Sequence, residues 1–213
     1  MGTFQMVAVS NWGLYRAFHG TGRIEDYIDY LARLVTAESL AGEKPDYLIL
    51  REKDMPEPAY LEFFQAVLEK CRAYSGQGEG TCVIPHTYLA AARQPGVGCI
   101  HLPFPLLQEY RAAGALEGIR KAGVSVHSPK EARMAQELGA SYLTAGHIFA
   151  TDCKKGVPPR GVPFLQEVCA SVHIPVFAIG GITSENLGLV QKAKASGACM
   201  MSKYMKIVDF PGK

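Results

Sequence analysis

The sequence predicts a (β/α)8 barrel, and three observations carry that expectation. Eight short runs of almost unbroken apolar character recur along the 213 residues, as expected of parallel strands covered on both faces. Segments with amphipathic, helix-like spacing lie between them. The length suits one well-buried domain, residues 1–213, and is short for two. A doubly wound open sheet uses the same alternation and is the competing architecture. Eight strands within one domain's length favour the closed barrel.

In chain order the predicted strands are Phe4–Ser10, Asp46–Arg51, Thr81–Pro85, Cys99–Leu102, Val124–His127, Ser141–Ala145, Pro175–Ile179 and Ala198–Ser202. The predicted helices are Ile24–Thr36, Ala59–Tyr74, Pro105–Lys121, Pro129–Leu138, Val162–Ser171 and Ser184–Lys194. Ser128-Pro129-Lys130-Glu131 reads as a helix start, with an N-cap serine, proline in the first turn and a glutamate to complete a capping box. Thr183-Ser184-Glu185 reads the same way, and Gly139 and Gly197 mark helix ends. Only Lys203–Lys213 follow the last strand, so a shortened C-terminal helix is expected.

Charge and composition narrow the function classes. A formal net charge of +2 without a basic stripe argues against nucleic acid. No apolar stretch approaches the ~20 residues of a membrane span, so a soluble, cytoplasmic protein is expected. The six cysteines (71, 82, 99, 153, 169, 199) lack C-x-x-C spacing and read as reduced thiols. Oligomeric state stays open, a homo-oligomer included.

In such a barrel the active site lies at the C-terminal ends of the strands. Those ends carry Arg51-Glu52-Lys53, Pro85-His86, Pro103-Phe104, His127-Ser128, His147 through Lys155, Gly180-Gly181 and Ser202-Lys203. Cations are many and carboxylates few. Gly180, Gly181 and the Met201-Ser202 turn suit a phosphate, because glycine lets backbone N–H groups approach an anion and a helix start adds its dipole. A tight turn would also require glycines for steric reasons alone. Of the six histidines, His147 is the best acid/base candidate, since imidazole titrates near neutrality and can take and return a proton. A loop histidine bonded to backbone fits the same spacing. His86 and His127 also fall at strand ends and are candidate pocket residues; with no short spacing or carboxylate partners they do not form a metal site. His19 and His173 read as solvated, and His101 as a core or rim residue. Cys153 lies between Asp152 and Lys154 and lines the same loop, with no base in view to make it a nucleophile.

Taken together, these segments resemble the thiamin phosphate synthase superfamily. Leu50-Arg-Glu-Lys53, Ile100-His-Leu102, Gly146–Gly156, Ile179-Gly-Gly-Ile182 and Met200-Met-Ser202 carry the likeness over nearly the whole chain. Gly146-His-Ile-Phe-Ala-Thr-Asp-Cys-Lys-Lys-Gly156 is similar to the TenI branch, the thiazole tautomerases. The resemblance implies a TIM barrel and a place in thiamin biosynthesis. In the synthases an Asn-Asp pair after strand three and an Asp after strand four bind Mg²⁺; here those positions read Pro85-His86 and Pro103-Phe104-Pro105-Leu106. Mg²⁺ wants oxygen ligands, so metal-dependent ligation is disfavoured and no cofactor is expected.

The tautomerase reading makes His147 the residue that moves a proton on a phosphorylated thiazole carboxylate. By the same resemblance the phosphate meets Gly180, Gly181, Met201 and Ser202 with Thr151 nearby, while Arg51, Lys53 and Lys154 attract the anionic substrate. Two departures stand out: Ile49 where synthases commonly have Gln, and Lys203 after the serine. A thiamin phosphate synthase using Mg²⁺ and an idle phosphate-ligand-binding regulator are the alternatives.

Overall fold

The computed structural model describes residues 3–36, 44–75 and 83–208. The strands are β1 Gln5–Val9, β2 Tyr47–Leu50, β3 Val83–Pro85, β4 Cys99–Pro103, β5 Lys121–Val126, β6 Tyr142–Gly146, β7 Val176–Ile179 and β8 Gly197–Met200. They form one sheet in the order β3-β2-β1-β8-β7-β6-β5-β4, and the ladders are parallel. Among the described residues a single bridge, His86 to His101, joins its two edges and closes the barrel.

Side chains alternate across each strand, and the two faces fill differently. Val7, Val9, Ile49, Ile84, Phe177 and Cys199 pack together inside, while Ala8, Leu48, Leu50, Ile100 and Leu102 belong to the larger cluster shared with the helices. The interior is polar on the other side. His101, 2% exposed, meets Tyr142 Oη at 3.0 Å and Ser125 Oγ at 2.9 Å, and Ser125 meets Thr144 Oγ1 at 3.0 Å. Each ring nitrogen has a partner, as a buried imidazole requires, and burial holds the ring neutral. His101 is thus a satisfied interior residue.

The helices are α1 Trp12–His19, α2 Ile24–Thr36, α3 Glu57–Ser75, α4 Leu89–Ala92, α5 Phe104–Ala112, α6 Pro129–Glu137, α7 Gly161–Ser171 and α8 Leu187–Lys192. In α2 the residues Tyr27, Tyr30, Leu31, Leu34 and Val35 are buried, one face at helical spacing. At α6, Ser128 Oγ accepts from Glu131 N as expected, but the Glu131 carboxylate reaches His127 N, one residue before the cap.

Several boundaries differ from expectation. The helix predicted over Pro105–Lys121 ends at Ala112, because Gly114 and Gly118 adopt positive φ and the chain enters β5 already at Lys121. Thr183-Ser184-Glu185 does not start a helix: Thr183 N donates to Asn186 Oδ1 in a turn, and α8 begins three residues later. Gly197 does begin β8, but the helix before it stops earlier, at Lys192, and a Cβ on Gly197 would strike Gln5 O and Phe177. Of the predicted third strand, residues 81–82, and with them Cys82, lie outside the described residues. Two helices, α1 and α4, were not anticipated.

After β8 the chain makes a 3-10 turn, Tyr204–Lys206. That turn packs on α1 and α2: Tyr30 Oη donates to Tyr204 O and accepts from Ile207 N, and His19 Nε2 donates to Met205 O at 3.1 Å. The unanticipated α1 therefore shares the cover on this side. His19 stacks on Tyr15 at 4.4 Å and is half-buried, which corrects its reading as a solvated residue.

Candidate active site

The alternation that turns Ile49 inward carries on to Arg51 and puts Glu52 on the helix side, and Lys53 follows, exposed, in a turn. Glu52 is 8% exposed. Its carboxylate accepts from Ser10 Oγ (2.6 Å), Tyr27 Oη (2.7 Å) and Trp12 N (2.9 Å). Burial raises its pKa, and those donors together with the Arg51 charge work against the rise. Burial lowers the pKa of Arg51, and the charges of Glu52, Cys153 and Asp54 counter it. Lys53 is lowered first by Arg51, then by burial and Lys154. These mutual effects place Arg51, Lys53, Cys153 and Lys154 in one electrostatic neighbourhood, although they come from two strand ends far apart in sequence.

His86 stands beside that cluster. Its Nδ1 is 2.6 Å from Thr87 Oγ1, and its ring lies over His101 with centroids 5.8 Å apart. Burial, then Arg51 and Lys53, push its pKa down to about 3. A neutral imidazole at neutral pH follows.

The loop after β6 supplies His147. Its Nε2 lies 3.3 Å from Val157 O. A carbonyl only accepts, so this bond puts the ring proton on Nε2 and leaves the Nδ1 lone pair free. The main chain around the ring is strapped at both ends: Ile148 N donates to Ile179 O, Phe149 N to Gly180 O and Arg160 N to His147 O, each at 3.0 Å. His127, which is exposed, donates from Nδ1 to Gly146 O at 3.0 Å and so braces the residue before His147.

Gly180 and Gly181 adjoin this loop directly. A Cβ on Gly180 would lie 2.8 Å from His147 Cα and closer still to its Cβ; one on Gly181 would lie 2.8 Å from Phe149 Cβ. Both have positive φ, +100° and +65°. The glycines thus serve close loop packing, the steric role that competed with phosphate binding. Their N–H groups and those of Met201 and Ser202 lie just past the ends of β7 and β8, which stop at Ile179 and Met200. The expected helix start beside them is missing, since α8 begins only at Leu187; its dipole does not add to the site.

Thr151 Oγ1 caps a 3-10 turn, Asp152–Lys154, and accepts from Cys153 N at 3.4 Å. A hollow of about 360 Å³ lies here, lined by residues that include Thr151, Asp152, Lys154 and Val157. Cys153 is exposed. Lys203 carries its ammonium 5.9 Å from the Tyr204 ring centroid. Glu52 and the Val157 carbonyl were missed from the sequence. A lone Glu between two cations was the available signal for the first; a backbone oxygen ten residues from His147 gives none.

The chain matches the model of the family described as thiamine monophosphate synthase over residues 23–204. The chain belongs to this family. Members of the thiamine monophosphate synthase family are enzymes of thiamin biosynthesis that bind its phosphorylated precursors. A thiamine-phosphate synthase of Syntrophomonas wolfei subsp. wolfei is 30% identical over 171 residues, 77% of each chain. Thiamine-phosphate synthase 2 of Streptococcus pneumoniae serotype 4 is 28% identical over 199 residues, 93% of this chain and 91% of the relative. In fold, the chain is similar to a thiamine phosphate pyrophosphorylase from Pyrococcus furiosus, with a TM-score of 0.70 at 23% identity, covering 96% of this chain and 88% of that one. No helix of the described residues is long and apolar enough to cross a membrane.

Proposed function

We propose that this family member is a thiazole tautomerase that works without a metal. The observation that carries the reading is the hydrogen bond from His147 to Val157 O, which leaves Nδ1 as a base at the strand ends. The substrate is a thiazole carboxylate phosphate with an exocyclic double bond. Nδ1 takes the proton from the ring carbon bearing the carboxylate. The C–H electron pair moves into the ring, the exocyclic carbon takes a proton back from the imidazolium, and the ring becomes aromatic. Protons and electrons balance within the substrate and one histidine.

The rest of the site has matching tasks in this reading. The N–H groups of Gly180, Gly181, Met201 and Ser202 receive the phosphate, with Thr151 at the edge. Arg51, Lys53 and Lys154 draw in the anionic substrate and hold its carboxylate. The neutral His86 adds a hydrogen-bonding group without further charge. His127 braces the catalytic loop, and Cys153 lines it.

The names of the relatives favour a second reading, thiamin phosphate synthesis, which by the resemblance drawn from the sequence would use Mg²⁺. The residues present do not fit that ion. Among the described residues no three His, Cys, Asp or Glu side chains converge on a point. The positions after β3 and β4 hold Pro85-His86 and Pro103-Phe104, and Glu52 already accepts three hydrogen bonds.

Aromatisation of the thiazole tautomer, followed by absorbance, tests the proposal. Replacement of His147 by Ala should slow it by about 10²–10⁴-fold, and a rate near wild type refutes the assignment. Formation of thiamin phosphate from a pyrimidine pyrophosphate and a thiazole phosphate with Mg²⁺ would establish the second reading instead. Tight binding of thiazole phosphate without turnover of either kind would mark an idle regulator.

A further inference from the structure

Behind the cationic mouth lies a carboxylate that the proposed chemistry does not use. Glu52 is buried between β2 and the first two helices, with both oxygens engaged. Three donors converge on it from three places: the end of β1 (Ser10), the first residue of α1 (Trp12) and α2 (Tyr27). Ser10 Oγ spends its proton on Glu52 and accepts from Arg51 N at 2.7 Å. Ser10 N in turn donates to Ile49 O at 3.0 Å. The backbone of Arg51 is therefore clamped by a hydroxyl whose own orientation Glu52 dictates.

A buried carboxylate is a costly way to fill space between a strand and two helices, because its desolvation is only partly offset by its partners. An apolar side chain there would pack at less cost but could not orient Ser10. Arg51 and Lys53 flank Glu52 in sequence, Arg51 on the opposite face, toward the mouth, and Lys53 exposed in the turn that follows. The geometry points to Glu52 as a positioning residue: through Ser10 it fixes the backbone from which Arg51 and Lys53 present their charges to the substrate carboxylate. Tyr27 and Trp12 hold the carboxylate in place for that task. The assignment of a substrate carboxylate to these cations rests on the proposed tautomerase function; the clamp itself does not.

The test is Glu52→Gln in the full chain, read two ways. Hydrogen exchange of the Arg51 amide reports the clamp directly and needs no ligand. Titration with thiazole carboxylate phosphate and with thiazole phosphate, which lacks the carboxylate, reports its consequence. The expected result is exchange at Arg51 faster by up to about tenfold, as for loss of its hydrogen bond to the Ser10 hydroxyl. Affinity for the carboxylate ligand should fall about tenfold while thiazole phosphate keeps its affinity within about threefold.

Unchanged exchange at Arg51 overturns the proposal, as does equal weakening of both ligands alongside a fall in melting temperature. If the wild type binds neither ligand, the tautomerase reading fails, and Arg51 exchange alone decides the role of Glu52. Should Glu52→Gln fail to fold, Tyr27→Phe removes one donor while keeping the ring, and the same pattern at smaller amplitude is expected; an unaltered Arg51 amide in that variant overturns the proposal equally.

Discussion

Gly180 is the position where one methyl group tests both the packing of the site and its chemistry. In Gly180→Ala the new Cβ arrives 2.8 Å from His147 Cα and 3.4 Å from Ile148 N. These are main-chain atoms with no rotamer to escape into. A side chain at φ +100° costs about 1–3 kcal/mol in backbone strain, and forced overpacking costs about 1–3 kcal/mol more. A net loss of about 3 kcal/mol is expected, since the loop can yield somewhat. For a chain of this size that lowers the melting temperature by about 6–12 °C, measured by circular dichroism. The loop yields by moving His147, so tautomerisation should fall about 10²-fold at temperatures where the variant is still folded. Gly188→Ala is the control: its Cβ meets nothing within 4 Å on helix α8, and a gain of about 0.5–1 kcal/mol is expected there. Gly180→Ala melting within about 1 °C of the parent, with full activity, would refute the reasoning.

Two further outcomes concern stability. His86 has a folded pKa of about 3 against an ordinary 6.5, so between those values the unfolded chain binds a proton that the folded chain does not. Its contribution is therefore present above pH 6.5 and is lost as the pH falls toward 3, at up to about 1.4 kcal/mol per pH unit. His86→Gln should flatten the dependence of the urea midpoint on pH between 7 and 4, and an unchanged slope would count against a neutral buried ring. Ser128→Ala removes the N-cap bond to Glu131 N and should cost about 1 kcal/mol, a drop of a few degrees in melting temperature; no change would mean that Pro129 and the Glu131 bond to His127 N suffice.

The barrel was legible because buried parallel strands leave short apolar runs that chain length then counts. Six of the helices announced themselves by amphipathic spacing. Helix α1 did not: Trp12–His19 is short, and its stability comes from the aromatic contacts of Trp12 and Tyr15 with Tyr27 and of Tyr15 with Tyr30, contacts that no local pattern records. The α5 end and the Thr183 turn were misjudged for a related reason. Glycines at positive φ and an Asn side chain outcompeted continued helix there. At the site, strand-end positions of His147, Arg51, Lys53 and His86 followed from where the apolar runs stop. Their mutual arrangement did not, since it depends on strands adjacent in space and not in sequence. The double nature of Gly180-Gly181 also emerged only in three dimensions, where close packing against His147 explains the glycines before any anion is considered.

One consequence follows from how the barrel is shut. Among the described residues seven junctions between strands are ladders and the eighth is the lone bridge between His86 and His101, a cylinder fastened by a single clasp. Beside this backbone clasp stand two imidazoles 5.8 Å apart, both held neutral by burial. When acid charges them, their repulsion is about 3 kcal/mol at an effective dielectric of 20, and it acts across the line with the fewest backbone bonds to resist it. Acid unfolding should therefore begin as an unrolling from the β3–β4 edge, with exchange protection lost first beside His86 and His101 and last at the β7–β8 junction diametrically away.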